Sequence, residues 1–388
     1  MVLSSVIPKP TGFGEIVLHR HLSNEPRLDV TVTPDPGWPR LMRLLRRGPT
    51  RSTALALEVL NRGRRWDLAA KATFAECRPG IILTVAHGDG ASAALRLARQ
   101  TNVPLAAIFH DWWPDLPAAV GWARPSAERQ FRALYDGSRV ALCVSAGMRR
   151  ALGPHSDART LIPIPGECRV QPVAAAKRPG EQFRIHYAGN LREYGPMLRE
   201  VLAAADEYPR LRFEVRGPTP NWPASFKRKT QAAGTWLEFA PREQFETWLG
   251  EADAFLVTMS FEPKLRRQSE TAFPSKLLEF ARFGRPLVIW APDYSTAVAW
   301  GRSKERALCV TDSNPAALLA ALARLAGNTA EQSRLGNEAL AAARGEFNPA
   351  HVQDAFVAAL QTAADANRGV LAGQIDPVGT LRDPAPVA

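Results

Sequence analysis

The sequence predicts an α/β protein built on parallel sheets. Short, fully apolar, β-branched runs recur along it, and helical spacing fills the gaps between them. The same alternation then repeats beyond a proline-rich stretch, which predicts two domains of this kind. In the first half the apolar runs are residues 2–7, 81–85, 104–109 and 140–144. A strand that is apolar on both faces needs cover on both, and helices provide it in a parallel sheet. Residues 15–22 and 91–100 carry helical spacing, and Ser145 is placed to cap a helix over 146–152. Gly12 and Gly14, and later Gly88-Asp89-Gly90, punctuate the passage from strand to helix.

Residues 162–180 contain Pro163, Pro165, Gly166, Pro172, Pro179 and Gly180, too many breakers for a regular element, and read as a linker. The second series predicts strands at 183–188, 211–215, 236–239, 254–259 and 286–290. Helices are expected over 197–208, 242–252, 275–283, 314–325 and 330–346. Asn348-Pro349 starts a last helix over 350–365, which can pack back on the first domain. The expected domains are therefore 1–170 and 178–348. Residues 367–388, rich in Gly, Pro and Asp without a period, are expected to be a disordered tail.

Composition narrows the class. The chain has 388 residues, 46% of them hydrophobic and 22% charged, as in ordinary globular proteins. No apolar run reaches the ~18 residues of a spanning helix. The opening MVLSSVIPKP has no basic start, and Pro8 breaks its apolar run, so export is not expected. Cys77, Cys143, Cys168 and Cys309 lie too far apart for a disulfide framework or a paired metal site; a reducing cytoplasm is the expected location. The net charge of +11 is one-sided. Residues 1–177 hold 24 basic against 14 acidic residues, and residues 178–388 hold 25 against 24. An anionic partner for the first half follows, unless the excess is only solubility charge. No nucleic-acid motif accompanies it, so nucleic acid is not expected. Between Pro39 and Trp66 eight arginines face one acid, Glu58. Leu41, Leu44 and Leu45 share one face of a short helix there, which fits an anionic membrane surface. Leucines packed into the core beside solvated arginines fit the same spacing.

The most informative stretch is Phe273-Pro274-Ser275-Lys276-Leu277-Leu278-Glu279, closed by Gly284-Arg285-Pro286. Pro274 and Ser275 mark a helix start, Ser275 as its cap. Free N–H groups and Lys276 there suit a phosphate, and Glu279 one turn on suits the hydroxyls of a ribose. A capped helix with surface Lys and Glu has the same spacing. The stretch resembles the donor-binding motif of GT-B glycosyltransferases, the retaining family 4-like group with Pro-Ser-Lys-Leu before the glutamate. Tyr187-Ala188-Gly189-Asn190-Leu191 resembles that family's first strand and glycine turn. Gly12 and Gly14 are similar to its glycine loop. The segments ending at His87 and at His110-Asp111 are similar to its strand ends at the cleft.

The resemblance implies two Rossmann-like domains whose parallel sheets face a central cleft. It implies transfer of a sugar from a nucleotide diphosphate sugar to a glycan or lipid-linked acceptor, with retention. His110, Asp111 and His87 would be catalytic. Gly189, Asn190, Arg192, Arg216, Phe273, Pro274, Ser275, Lys276 and Glu279 would bind the donor. Trp112-Trp113 would offer an acceptor platform or serve as packing. The family's first glutamate falls on Thr271, with Glu270 one residue early, so either residue is the possible contact to the donor sugar. No cofactor is expected beyond the nucleotide-sugar co-substrate, and without an Asp-x-Asp motif no metal. The alternatives are a nucleotide-sugar epimerase on the same fold and a non-catalytic homologue that binds nucleotide-sugar or glycan.

Overall fold

The computed structural model describes residues 1–373 except 11–13, 24, 46–50, 116–120 and 167–180. Side chains are not described for Gly14, Leu41, Arg51, Gly121 and residues 366–373. Two compact units share the chain. One comprises Met1–Ile162 and everything from Gln353 on; the other is Pro163–Val352.

In the first unit β1 (Ile82–Val85), β2 (Leu105–Phe109), β3 (Val140–Cys143) and β4 (Ala158–Thr160) form a parallel sheet in that order. β1 and β3 are buried at every position, as their unbroken apolar character requires. The predicted strand over 2–7 shrinks to a bridge at Val2, which pairs in parallel with Leu83 on one side and Val32 on the other. Met1, Val2 and Leu3 are buried. Pairing stops there because Ser4 and Ser5 turn to side-chain bonds: Ser4 Oγ accepts from the Val6 and Val85 amides, and Ser5 Oγ from the Gly90 amide at 2.8 Å. The chain thus steps outward from residues 1–3 to 31–33, then inward to β1 and onward to β4.

Ser145 caps the helix Ala146–Leu152 through the Met148 amide at 2.9 Å, as the sequence leads one to expect. The helices Arg51–Asn61, Asp67–Cys77 and Arg124–Gly137 are not among the elements expected from the sequence. The last helix, Pro349–Gly373, runs eight residues past its expected end and covers 367–373, part of the expected tail. Gly369 is the one breaker inside this extension, and the first proline of the tail comes later, at Pro377. Residues 374–388 lie outside the described residues. From Gln353 this helix belongs to the first unit. His21, 2% exposed, bonds Gln353 at 2.9 Å, and its ring lies 4.4 Å from Phe356.

In the second unit β5 (Phe183–Ala188), β6 (Leu211–Arg216), β7 (Trp236–Leu237), β8 (Ala254–Thr258), β9 (Leu287–Trp290) and β10 (Leu308–Val310) are all parallel, in the order β10-β9-β8-β5-β6-β7. The core gathers Ile185, Val215, Leu256, Val288 and Trp290 from the strands and Leu198, Leu318, Leu322 and Leu335 from the helices against them. β7 is shorter than expected because Phe239 is 75% exposed and cannot continue a covered strand. Among the described residues no helix is long and apolar enough to cross a membrane.

Candidate functional site

In the second unit the strand order reverses between β5 and β8. From β5 the chain moves out through β6 and β7; it then returns to β8 on the other side of β5 and continues to β9 and β10. Loops leaving the two strands diverge, so a crevice opens at their carboxyl ends. A pocket of ≈ 240 Å³ occupies it. Gly189, Asn190 and Tyr194 line it from the β5 side, Thr258 and Met259 from β8, and Gln268, Ala272, Pro274, Ser275 and Lys276 from the segment that follows. The turn after β5 is packed tightly on the turn after β6: a Cβ on Gly217 would stand 2.2 Å from the Gly189 carbonyl oxygen. Only glycine at 217 permits that crossing.

The predicted donor residues divide in two. Gly189, Asn190, Pro274, Ser275 and Lys276 meet in the pocket. Asn190 also shapes its own turn, accepting from the Arg192 and Glu193 amides at 3.0 and 3.2 Å. Ser275 does not cap the helix Ser275–Ala281; extended Pro274 takes the cap position with no side-chain bond. A seven-residue helix that starts after a proline leaves Ser275 already inside its first turn. Lys276 Nζ and Glu279 Oε2 bond one another at 2.7 Å, each about one-third exposed. The two residues therefore act as a pair, where the spacing alone assigns them separate tasks. Glu279 is not among the described lining residues.

Arg192, Arg216, Phe273, Glu270 and Thr271 are not among the described lining residues either. Arg192 is exposed. Arg216 donates to the Glu238 carbonyl at 2.6 Å and lies over the Trp248 ring, where burial lowers its pKa. Phe273 packs against Trp300 and Phe347. Thr271 is buried, its hydroxyl donating to Arg267 O one turn back at 2.7 Å. Glu270 pairs with Arg266 at 2.7 Å, and Arg266 stacks on Tyr294. Tyr194, Thr258 and Gln268 line the pocket without having been singled out by motif. The helix that carries Gln268, Arg266–Thr271, is only six residues long and polar, so no apolar period announces it.

The first unit has a switch of its own. Residues 1–3 and β1 are neighbours from which the sheet extends in opposite directions. His87 stands just past β1, and His110 just past β2. Because Val85 and Ile108 are in register, the two imidazoles come together, ring centres 6.4 Å apart, with Trp113 6.0 Å from His87. Asp111 Oδ2 is 3.5 Å from His110 Nε2. Burial first, and His110 second, hold the His87 imidazole down to about 4, so it is neutral at pH 7. Trp112 turns away into the core and donates to Glu128 at 2.9 Å. Of the two tryptophans only Trp113 meets the histidines. Gly14 opens the helix Gly14–Leu22, and Gly12 lies outside the described residues.

The loop after His87 is held by a buried carboxylate. Asp89 accepts from Arg65 Nε at 2.7 Å, Arg65 Nη2 and Trp66 Nε1 at 3.0 Å, and Ser5 Oγ at 3.1 Å. Gly88, with φ at 72°, passes so close to Ser5 that a Cβ would meet its side chain at 2.7 Å. His87 thus rests on a rigid floor. Among the described residues no group of His, Cys, Asp and Glu could hold a metal ion.

Two units of parallel sheet, each covered by helices, define the GT-B fold, the architecture of a large class of glycosyltransferases. HepE of Anabaena in complex with UDP superposes with a TM-score of 0.63 at 13% identity, over 93% of this chain and 99% of that one. Its complex with UDP and glucose gives 0.58 at 12% over 93% and 98%. An α,α-trehalose 6-phosphate synthase from Burkholderia multivorans gives 0.54 at 14% over 80% and 76%. At identities this low, the superpositions show the shared fold alone. No protein-family model matches the chain, and no curated protein matches it in sequence.

Proposed function

We propose that the chain is a glycosyltransferase whose second unit takes a nucleotide diphosphate sugar in the β5/β8 crevice. The observation that carries this reading is the pocket at that switch point, the position where open α/β sheets take nucleotides. Lys276 and the backbone at Gly189 and Ser275 are of the kind that meets a diphosphate; the Lys276–Glu279 pair would open so that Glu279 can reach a ribose. UDP in the structure of HepE supports the nucleotide class. Arg216, Phe273, Glu270 and Thr271 serve only through rearrangement of their present partners, and Arg192 only by turning in from its exposed position. The acceptor, a glycan or a lipid-linked sugar, is taken by the first unit. There His110, oriented by Asp111 and packed beside neutral His87, handles a hydroxyl proton. Retention of configuration rests on the motif resemblance. The charge of the leaving diphosphate falls on Lys276 and backbone amides, with no metal required.

Calorimetry with UDP, GDP and their sugars, followed by turnover with and without acceptor, tests the reading. The absence of any nucleotide affinity removes it. The occupation of Glu270 by Arg266 and the burial of Thr271 favour a second reading, a homologue that binds donor without transferring it. Affinity without turnover on any acceptor selects that one.

The reading includes a peripheral place on the inner face of an anionic membrane. Leu44, Leu57 and Leu60 are 64%, 40% and 46% exposed beside Arg40, Arg43 and Arg64, which supports a basic, apolar contact surface. Arg65 is withdrawn from it by Asp89 and Asp35, and Arg46 and Arg47 lie outside the described residues. Liposome sedimentation that needs anionic lipid and falls with salt and with Arg40→Ser/Arg43→Ser supports this location; equal binding to neutral vesicles, or none, removes it.

A further inference from the structure

A groove in the first unit, away from the strand ends that carry the histidines, gathers arginines from three elements. Arg62 follows the helix Arg51–Asn61, Arg96 and Arg99 project from the helix Gly90–Thr101, and Arg129 from the helix Arg124–Gly137. They line a cavity of ≈ 490 Å³, and no acidic side chain is among its described lining residues. A second cavity of ≈ 360 Å³ shares Arg99 and adds Asn102 and Arg139. Both cavities lie along the helix Gly90–Thr101, which rises about 14 Å from Ser92 to Thr101 at 1.5 Å per residue.

The groove is built. Arg96 pairs with Asp67 and donates to the Arg62 and Gly63 carbonyls at 2.8 and 3.2 Å. That holds Arg62 in a left-handed conformation, φ 52°, which non-glycine residues seldom adopt. Gln130 ties the floor together, donating to Val59 O and Ser126 Oγ and accepting from Ser92 Oγ at 2.6 Å. Arg99 and Arg129 are exposed and form no ion pair among the described residues. Arg99 and Arg129 are like charges with no acid paired to them among the described residues, and a bound anion relieves their repulsion.

We propose that this groove binds an extended acidic glycan, at a site separate from both the nucleotide pocket and the histidine pair. Guanidinium forks match carboxylates spaced along a chain, and Gln100 and Asn102 offer amides to sugar hydroxyls. No aromatic side chain is among the described lining residues, so the stacking platform that single-stranded nucleic acid uses is not there. The groove is concave, whereas a bilayer presents a flat face. The inference does not rest on the transferase reading.

The test is fluorescence anisotropy of labelled hexagalacturonate on the full chain at low salt, with UDP affinity measured alongside. The expected result is saturable binding that weakens with salt. Arg99→Ser/Arg129→Ser should weaken it by roughly tenfold or more. Arg149→Ser/Arg150→Ser, which removes equal charge from exposed positions of the same unit outside the groove, should leave it near wild type. UDP affinity should be unchanged in both. Equal loss in the two double variants would show a diffuse field and overturn the site. So would equal competition by neutral maltohexaose, or displacement of the glycan by anionic vesicles that lose affinity in Arg99→Ser/Arg129→Ser.

Discussion

Lowering the pH from 7.5 to 5 should weaken the first unit through His21, and the size of the effect follows from its surroundings. The imidazole is buried against Phe356 with one bond to Gln353. Burial lowers its pKa from 6.5 to about 4, and the Gln353 bond offsets only part of that. In the unfolded chain the ring titrates near 6.5, so between about 6.5 and 4 the unfolded state holds the extra proton. Stability therefore rises with pH across this window and is lost as pH falls through it. At 1.36 kcal/mol per pKa unit, the loss at pH 5 is about 2 kcal/mol, with almost none at pH 7.5. Urea unfolding of wild type and His21→Phe at both pH values isolates it. Phenylalanine keeps an aromatic ring against Phe356 but cannot titrate. His87 contributes alike in both proteins and cancels. The variant's stability should fall about 2 kcal/mol less than wild type's over the interval. Equal falls would mean that His21 is not sealed by the returning helix, and the packing of Gln353 and Phe356 on the first unit would be refuted.

Asp89→Ala should cost about 3–5 kcal/mol, because it takes from the Arg65 guanidinium its buried partner, leaving only Asp35, and strands the Trp66 indole N–H; thermal unfolding measures it, and a loss under 1 kcal/mol contradicts the network. Lys276→Ala should weaken UDP more than uridine in calorimetry, since only the diphosphate carries charge to meet; equal losses point to a structural role. His110→Ala should lower turnover by roughly 10²–10⁴-fold while UDP affinity is kept, and near-normal turnover would make His110 a packing residue. Gly217→Ala should lower both stability and UDP affinity, because the added methyl displaces the Gly189 turn; a variant with unchanged affinity and melting would contradict the close crossing.

Much of the molecule was legible in one dimension. β5, Phe183–Ala188, and the helix Ala146–Leu152 end where the sequence reading places them, because a strand covered on both faces and a serine cap are local signals. Lys276 and Ser275 come from a motif whose Pro274 marks its own helix start. Local patterns also misled. Residues 2–7 look like a long strand, yet Ser4 and Ser5 prefer bonds to the loop after β1, and nothing within the segment reveals that partner. What only the tertiary structure decided is which elements are neighbours. The reversal of strand order between β5 and β8 creates the pocket, and the register of β1 on β2 brings His87 to His110. Apolar periodicity reports how deeply an element is covered, but strand order is settled by the packing of the whole sheet. Gln268, on a short polar helix, and the arginines at 62, 96, 99 and 129, on two helices and the turn after a third, become a pocket wall and a groove only after that packing is complete.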